Sequence, residues 1–258
     1  MLDPDAQTKI ETQDKAEPRH APFIEHLIEL RTRLLYSVLA VLVLFIGLYP
    51  FANELYQTLS EPLRALLPEG SQMIATEVAS PFLAPFKLAM MTAFFLAVPV
   101  VLYQIWAFIA PGLYEHEKRY ALPLLGAAVA LFYLGMSFAY YVVFPLIFAF
   151  FTSVGPGDVA VMTDINHYLN FVLKLLFAFG LAFEIPVATV LLVLLGVTDV
   201  ENLAKKRPYV VIFCFVVGML LTPPDVFSQS MLAIPMWLLF EAGIIIARFL
   251  PKAAPKAM

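Results

Sequence analysis

The chain has 258 residues, of which 61% are hydrophobic and only 14% charged, with a formal net charge of −4 and a mean hydropathy of +0.83. Ordinary globular domains hold roughly 45–50% apolar and about 25% charged residues, so this composition excludes a soluble domain and implies an integral membrane protein. The small net charge gives no basis for a nucleic-acid partner, and one cysteine, Cys214, excludes both an internal disulfide and a thiolate metal cluster.

The first 22 residues are polar and mixed in charge, with Asp3, Asp5, Asp14 and Glu17 beside Lys9, Lys15 and Arg19. They lack the basic start, short apolar core and small-residue cleavage site of a signal peptide. We expect residues 1–22 to form a flexible cytosolic tail, 23–250 a membrane domain with an uncleaved first span, and 251–258 a second cytosolic tail.

A spanning helix needs about 20 mostly apolar residues. The expected spans are Leu34 to Ala52, Leu88 to Ile109, Ala121 to Phe151 and Tyr168 to Val197, followed by Tyr209 to Thr222 and Ser230 to Leu250. The last two are separated only by Pro223-Pro224-Asp225-Val226-Phe227-Ser228-Gln229, which allows nothing but a hairpin turn. The fifth run is short: fourteen residues rise about 21 Å as a helix, against a hydrocarbon core of about 30 Å. Pro99, Pro123, Pro145, Pro186 and Pro235 interrupt the spans. Each removes a backbone hydrogen bond, which predicts bent helices around a concave face. The fold class is therefore all-α, with six transmembrane helices and a short final hairpin. No period of 20–50 residues recurs, which speaks against an inverted-repeat transporter fold.

The loops carry a strong charge asymmetry. Lys9, Lys15, Arg19, Arg31, Arg33, Lys118, Arg119, Lys205, Lys206, Arg207, Arg248, Lys252 and Lys256 fall on one side, and only Arg64 and Lys87 on the other. Basic residues stay in the cytoplasm, so both termini are expected there. The opposite loops are acidic, holding Glu54, Glu61, Glu69, Glu77, Asp158, Asp164 and Asp225.

Several acidic residues stand out against this background. Glu29, just before the first span, and Glu117, between the second and third, both fall at the expected cytoplasmic boundary, where a pair of carboxylates suits a ligand with paired positive charge. Each also has a local alternative: Arg33 lies four residues from Glu29 on a helix, and Lys118 and Arg119 adjoin Glu117. Glu184, in Phe183-Glu184-Ile185-Pro186, lies near the middle of the fourth span, where a charge is costly. It either bonds a carbonyl freed near Pro186 or faces a partner or substrate. Glu241 has Arg248 two turns along the same face, although snorkelling accounts for Arg248 at a helix end. Catalytic patterns are absent: there is no His-Glu-x-x-His, no Gly-x-Ser-x-Gly and no phosphate-binding loop, and His20, His26, His116 and His167 are scattered. We therefore expect no enzyme activity, cofactor or metal. A proton-coupled small-molecule transporter, with Glu184 as the proton carrier, is one alternative that the composition allows.

Four segments carry a family signature. His26-Leu27-Ile28-Glu29-Leu30-Arg31-Thr32-Arg33-Leu34, the stretch from Tyr103 through Trp106, Phe108, Pro111-Gly112-Leu113-Tyr114-Glu115-His116-Glu117 to Arg119, Lys206-Arg207-Pro208-Tyr209, and Thr222 through Asp225 to Gln229 together resemble the TatC family, multispanning receptors of the twin-arginine protein translocase. The resemblance covers about Pro22 to Leu250 in order. It implies binding of the signal peptides of folded exported proteins and assembly with the single-span subunits TatA and TatB. It also implies further copies of the chain itself, use of the proton-motive force, and residence in the bacterial cytoplasmic (inner) membrane. By the same resemblance, the paired arginines of the signal would be read by Glu29 and Glu117, with Leu30, Arg31, Phe108, Tyr114, Glu115 and His116 as neighbours. The family's polar residue of the fourth span falls on Glu184, and its acidic outer turn on Asp225 beside Gln229; Glu241 is a further intramembrane polar position. Glu115 adds an acid that leaves open which loop carboxylate dominates.

Overall fold

The computed structural model describes residues 21–64, 74–109, 118–154, 164–222 and 225–249. The two expected tails and Tyr114, Glu115, His116 and Glu117 lie outside the described residues, apart from Ala21 and Pro22 at the inner edge of the first tail. Everything described is helix or short connection, and the one β contact among these residues is an isolated parallel bridge between Ile74 and Asp164.

Among the described residues ten α-helices follow in order: α1 Ala21–Leu48, α2 Ala52–Arg64, α3 Ser80–Ile109, α4 Lys118–Phe138, α5 Phe144–Val154, α6 Ile165–Ala182, α7 Ile185–Leu194, α8 Val200–Lys205, α9 Arg207–Leu221 and α10 Val226–Arg248. Five continuous helical stretches are long and apolar enough to cross a membrane: His26–Leu59, Ser80–Ile109, Ala121–Phe151, Ile165–Leu194 and Val226–Arg248. Arg207–Leu221 is apolar but shorter, as the sequence predicts. At 1.5 Å per residue, its 15 residues extend about 22 Å. The first stretch differs from the expected Leu34 to Ala52 at both ends, since the helix is already formed at His26. It does not stop at Ala52 but tightens into a 3-10 turn at Tyr49–Phe51, around Pro50, and continues as α2.

Proline chemistry explains the irregular points. A proline donates no backbone hydrogen bond, and its ring crowds the carbonyl four residues back. Ahead of Pro145 the helix loosens into a π turn, Ala139–Val143, which joins α4 to α5 without a break. Ahead of Pro186 the fourth stretch breaks at Phe183 and Glu184, so that α7 starts afresh with proline in its first turn. Pro208 opens α9 in the same way. Pro85, Pro99, Pro123 and Pro235 are carried inside helices.

α3, α4 and α6 pack on one another, with the other helices added at their sides. α1 lies on α3, α3 meets α6 and α4, α4 lies along α6, α7 packs on α10, and α10 on α9. α1 leaves Leu35, Leu39, Val43 and Ile46 all exposed, as suits a helix facing hydrocarbon. The main core lies between α3, α4, α5 and α6 and is built around Phe132, Phe144, Ile147, Leu169, Leu175 and Phe179.

Two glycines set how closely α4 and α6 approach. A Cβ at Gly180 would sit 2.7 Å from the Phe132 ring, and one at Gly135 would collide with the Phe179 carbonyl and the Phe183 ring. Gly243 plays the same part between α10 and α7, where a Cβ would lie 2.9 Å from Pro186 Cα. Small residues at such crossings give apolar helices their closest van der Waals contact, which is what holds helices together where lipid is as apolar as protein. Replacing Gly180 by Ala should therefore force α4 away from α6 and cost about 1–3 kcal/mol. A lowered thermal-unfolding midpoint in detergent is the expected reading, while Gly126→Ala, which meets nothing within 4 Å, should leave it unchanged.

Candidate functional site

Helix α1 brings three of the signature residues to one face. Arg33 donates from Nε to Glu29 Oε1 at 2.9 Å and from its terminal nitrogen to the same oxygen, so the i, i+4 alternative is the geometry observed. A further Arg33 nitrogen lies 3.4 Å from Gln104 Oε1 on α3. One turn earlier, His26 stacks on Phe108 with ring centroids 4.1 Å apart and planes 17° from parallel, and its Nδ1 is 3.9 Å from Glu29 Oε2. These contacts fix the start of α1 against the last turn of α3.

The arrangement leaves chemistry available. Both Arg33 bonds fall on Oε1, so among the described residues Oε2 of Glu29 faces only a distant imidazole, and the carboxylate is about a third exposed. A carboxylate accepts about four hydrogen bonds, so Glu29 retains room for an incoming guanidinium beside the one it already holds. Leu30 and Arg31 are exposed on the neighbouring face of α1. α3 ends at Ile109, one residue past Phe108, and α4 begins at Lys118, so the described helices bracket the segment that carries Glu117.

Glu184 sits at the break between α6 and α7 as the residue preceding α7, yet its side chain caps nothing. Its Oε1 is buried and has no hydrogen-bond partner among the described residues. Of the two alternatives for Glu184, the bond to a freed carbonyl is therefore not formed at this atom. Lys174, the other charge of this stretch, is exposed on α6.

Glu241 has a partner that the sequence reading passed over. Arg207, at the start of α9, grips it with Nε on Oε1 and a terminal nitrogen on Oε2, both at 2.6 Å. The signal was present in the hairpin itself. In an antiparallel pair, residues equally far from the turn lie opposite each other, and Arg207 and Glu241 stand almost symmetrically about the turn between Leu221 and Val226. A bidentate guanidinium–carboxylate pair is both strong and geometrically specific. Arg248, two turns on, is exposed and free to reach outward.

At the other end of the hairpin, Asp225 is the N-cap of α10 and accepts from the Ser228 backbone N–H at 2.7 Å, while its Oδ2 is buried without a partner among the described residues. The Gln229 backbone passes against Gly218, 3.3 Å from where a Cβ would stand. Phe227 stacks on Phe150 of α5 at 4.3 Å, tying the turn to the rest of the bundle. Asp164, which the sequence shows only as one more acidic loop residue, is the N-cap of α6. It also accepts from the Thr76 hydroxyl at 2.6 Å and the Thr76 N–H at 3.0 Å. The Thr76 hydroxyl first, then the His167 and Thr76 amides, hold this carboxyl well below the usual carboxylate range. It stays ionised and keeps the segment before α3 docked on α6. No group of three or more His, Cys, Asp or Glu among the described residues could hold a metal ion.

Comparison with known proteins bears directly on these residues. Residues 25–235 match the family model described as Sec-independent protein translocase protein (TatC). The Sec-independent protein translocase protein TatC of Azotobacter chroococcum mcd 1 is 62% identical over 92% of this chain and 93% of its own length. The protein of the same name from Escherichia coli (strain K12) is 58% identical over 88% of each. A crystal structure described as the twin arginine translocase receptor TatC superposes with a TM-score of 0.78 at 38% identity, covering 86% of this chain and 98% of that one.

The Arg207–Glu241 fork predicts a non-additive response. Arg207→Met and Glu241→Gln should each lower the thermal-unfolding midpoint in detergent, because each strands a half-buried partner charge. Arg207→Met combined with Glu241→Gln should lose less than the two single losses added together. Strict additivity would show that the pair does not hold α9 to α10.

Proposed function

This chain belongs to the TatC family of Sec-independent protein translocase proteins, and on that premise we propose that it reads the paired arginines of export signals at the cytoplasmic boundary with Glu29 and Glu117. The chain is a component of the twin-arginine translocase, a pathway for protein transport across a membrane. It acts by binding and assembly and not by catalysis. The observation that best supports the receptor reading is the state of Glu29. The start of α1 is clamped to α3 through His26–Phe108 and Arg33–Gln104, which presents a carboxylate with a spare oxygen at the end of the bundle.

The mechanism follows from the chemistry of guanidinium groups. An arginine offers a planar fork of donors that matches a carboxylate in two parallel bonds, whereas a lysine offers a point charge. Two arginines in succession need two acceptors, and Glu29 supplies one from α1 while Glu117 supplies the other from the segment joining α3 to α4. Arg33 holds Glu29 in place and competes for it, which sets a threshold: only a ligand with a well-placed fork displaces part of that pairing. Phe108, Leu30 and Arg31 are neighbours of Glu29 on α1 and α3, and Tyr114, Glu115 and His116 are the residues preceding Glu117 in sequence. The apolar part of the signal then follows the bundle inward, toward Glu184, whose unpaired oxygen at the α6–α7 break suits a partner helix bearing a donor.

In this reading the chain crosses the bacterial inner membrane six times with both termini in the cytoplasm. The short α9 is the fifth crossing, and thinning of the bilayer beside it accommodates its length. TatA and TatB, further copies of this chain, and the proton-motive force complete the machinery. The final hairpin, with Asp225 and Gln229 at its outer turn and Glu241 on α10, is a contact face for them. The proton-coupled small-molecule transporter that Glu184 alone allowed is displaced by the family match.

Two measurements check this reading. With Cys214 replaced by Ala, a cysteine at Gly157 should react with an impermeant thiol reagent in intact cells, and one at Glu201 only after permeabilisation; labelling of Glu201→Cys from outside would reverse the orientation. For recognition, loss of either Glu29 or Glu117 should cost about 2–5 kcal/mol of signal-peptide binding, as is typical when one side of a desolvated charge pair is removed. Glu117→Asp should be milder than Glu117→Ala, and lysines in place of the signal's arginines should also weaken binding. In a double-mutant cycle of Glu117→Gln against removal of the arginines, a coupling energy near zero in correctly inserted protein would refute the contact.

A further inference from the structure

A cavity of about 520 Å³ opens between α3 and α6 near the ends where both helices begin. Its polar wall is formed by Lys87, Asn166, His167 and Asn170, with Glu77 contributed by the segment before α3. Its apolar wall is formed by Leu83, Phe86 and Met90. None of these residues takes part in the receptor reading, which belongs to the opposite end of the bundle.

The polar wall is only half satisfied. Lys87 stands seven residues into α3, about 10 Å along the axis from its first residue. Its ammonium donates to Asn170 Oδ1 at 2.8 Å, and among the described residues no carboxylate lies within 4 Å of it. An ammonium has three donors, so a half-buried lysine bonded to a neutral amide keeps both charge and donors in reserve. Asn166 is unbalanced in the opposite sense. Its amide nitrogen donates to Ser80 Oγ, while its Oδ1 is buried and accepts nothing among the described residues. Both defects are costly in a partly desolvated place unless something fills them.

One ligand chemistry answers both. A single small group that carries both an anion and an N–H donor meets both deficits, since Lys87 and Asn166 line one cavity, and Glu77 there adds a place for positive charge. We propose that this cavity binds the phosphoethanolamine headgroup of a membrane phospholipid. The phosphate lies on Lys87, the primary ammonium donates to Asn166 Oδ1 and pairs with Glu77, and the start of an acyl chain lies along Leu83, Phe86 and Met90. A choline headgroup carries no N–H for Asn166, and a glycerol headgroup brings no positive charge for Glu77. Because Asp164 and Thr76 hold the segment carrying Glu77 on α6, lipid binding there would tie α3, α6 and that segment together. On the topology proposed above this end of α3 and α6 lies at the outer leaflet, and that placement rests on the receptor reading whereas the headgroup preference does not.

The test uses the full chain purified in detergent and native mass spectrometry of retained lipid, with phosphatidylethanolamine, phosphatidylcholine and phosphatidylglycerol of one acyl composition as probes. We expect phosphatidylethanolamine to be retained in preference to the other two. Lys87→Met and Asn166→Leu should each weaken retention by about tenfold, the loss expected for one charge-assisted hydrogen bond. Lys87→Arg, which keeps the charge, should retain most of it, and an unchanged thermal midpoint in lipid-free detergent separates a lost ligand from a lost fold. Twin-arginine peptide binding, measured on the same samples, should be unaffected, so failure of the lipid site and failure of the receptor reading give different results. Equal retention of the three lipids, or wild-type retention by Lys87→Met, overturns the site. Competition by glycerophosphoethanolamine or inorganic phosphate at the lipid's own concentration shows a site for a soluble phosphate ester and overturns the lipid assignment.

Discussion

Every backbone N–H and C=O in hydrocarbon must find its partner within the protein, because no water is there to take its place. That constraint accounts for the all-helical fold and for where the helices are allowed to fail. A proline inside a helix leaves a carbonyl without its donor; Pro99, Pro123 and Pro235 are carried within continuous helices, whereas at three other prolines the chain responds locally, with a π turn before Pro145, a fresh helix start at Pro186 and a 3-10 turn around Pro50. The long helical stretches are thereby segmented without exposing bare backbone. The π turn and the break before Pro186 lie together, where Phe138 packs against Phe179 and Phe183.

With backbone bonds satisfied inside each helix, the helices have only close packing and a few polar contacts to choose their neighbours. Gly135 and Gly180 let α4 and α6 approach to the limit set by Phe132 and Phe183, and Gly243 does the same for α10 against Pro186 and Thr189. The charged contacts lie toward the helix ends. Glu29 with Arg33 and Gln104 joins α1 to α3, Arg207 with Glu241 joins α9 to α10, and Asp164 with Thr76 joins α6 to the segment before α3. Electrostatic attraction is strong there because water is partly excluded, and burial remains affordable because it is not wholly so.

Glu184 departs from this pattern. It is placed at depth, at a helix break, with a buried oxygen that no described residue satisfies. Native structures keep such groups rarely, and usually for a role. The same logic applies to Lys87 and Asn166 at the other end of α3 and α6, where two opposite deficits sit in one cavity.

The apolar runs, their lengths and the prolines within them were legible in the sequence because span length and backbone bonding are local properties: they depend on residues a few positions apart. The short α9, the hairpin that follows it and the break beside Glu184 were readable for that reason, and so was the candidate pair of Glu29 with Arg33, one helical turn apart. What the sequence left open were the partners of charged groups across helices. Glu241 reads as a neighbour of Arg248, yet its bond is to Arg207, and Asp164 reads as a loop acid, yet it caps α6 and holds Thr76. The continuation of the first helix through Pro50 into α2 was equally hidden, because α2 is held by its packing on α3 and α5. Local chemistry decides which segments become helices and where they bend; only tertiary packing decides which side chains meet, because those contacts join residues far apart in sequence, which local spacing alone cannot identify.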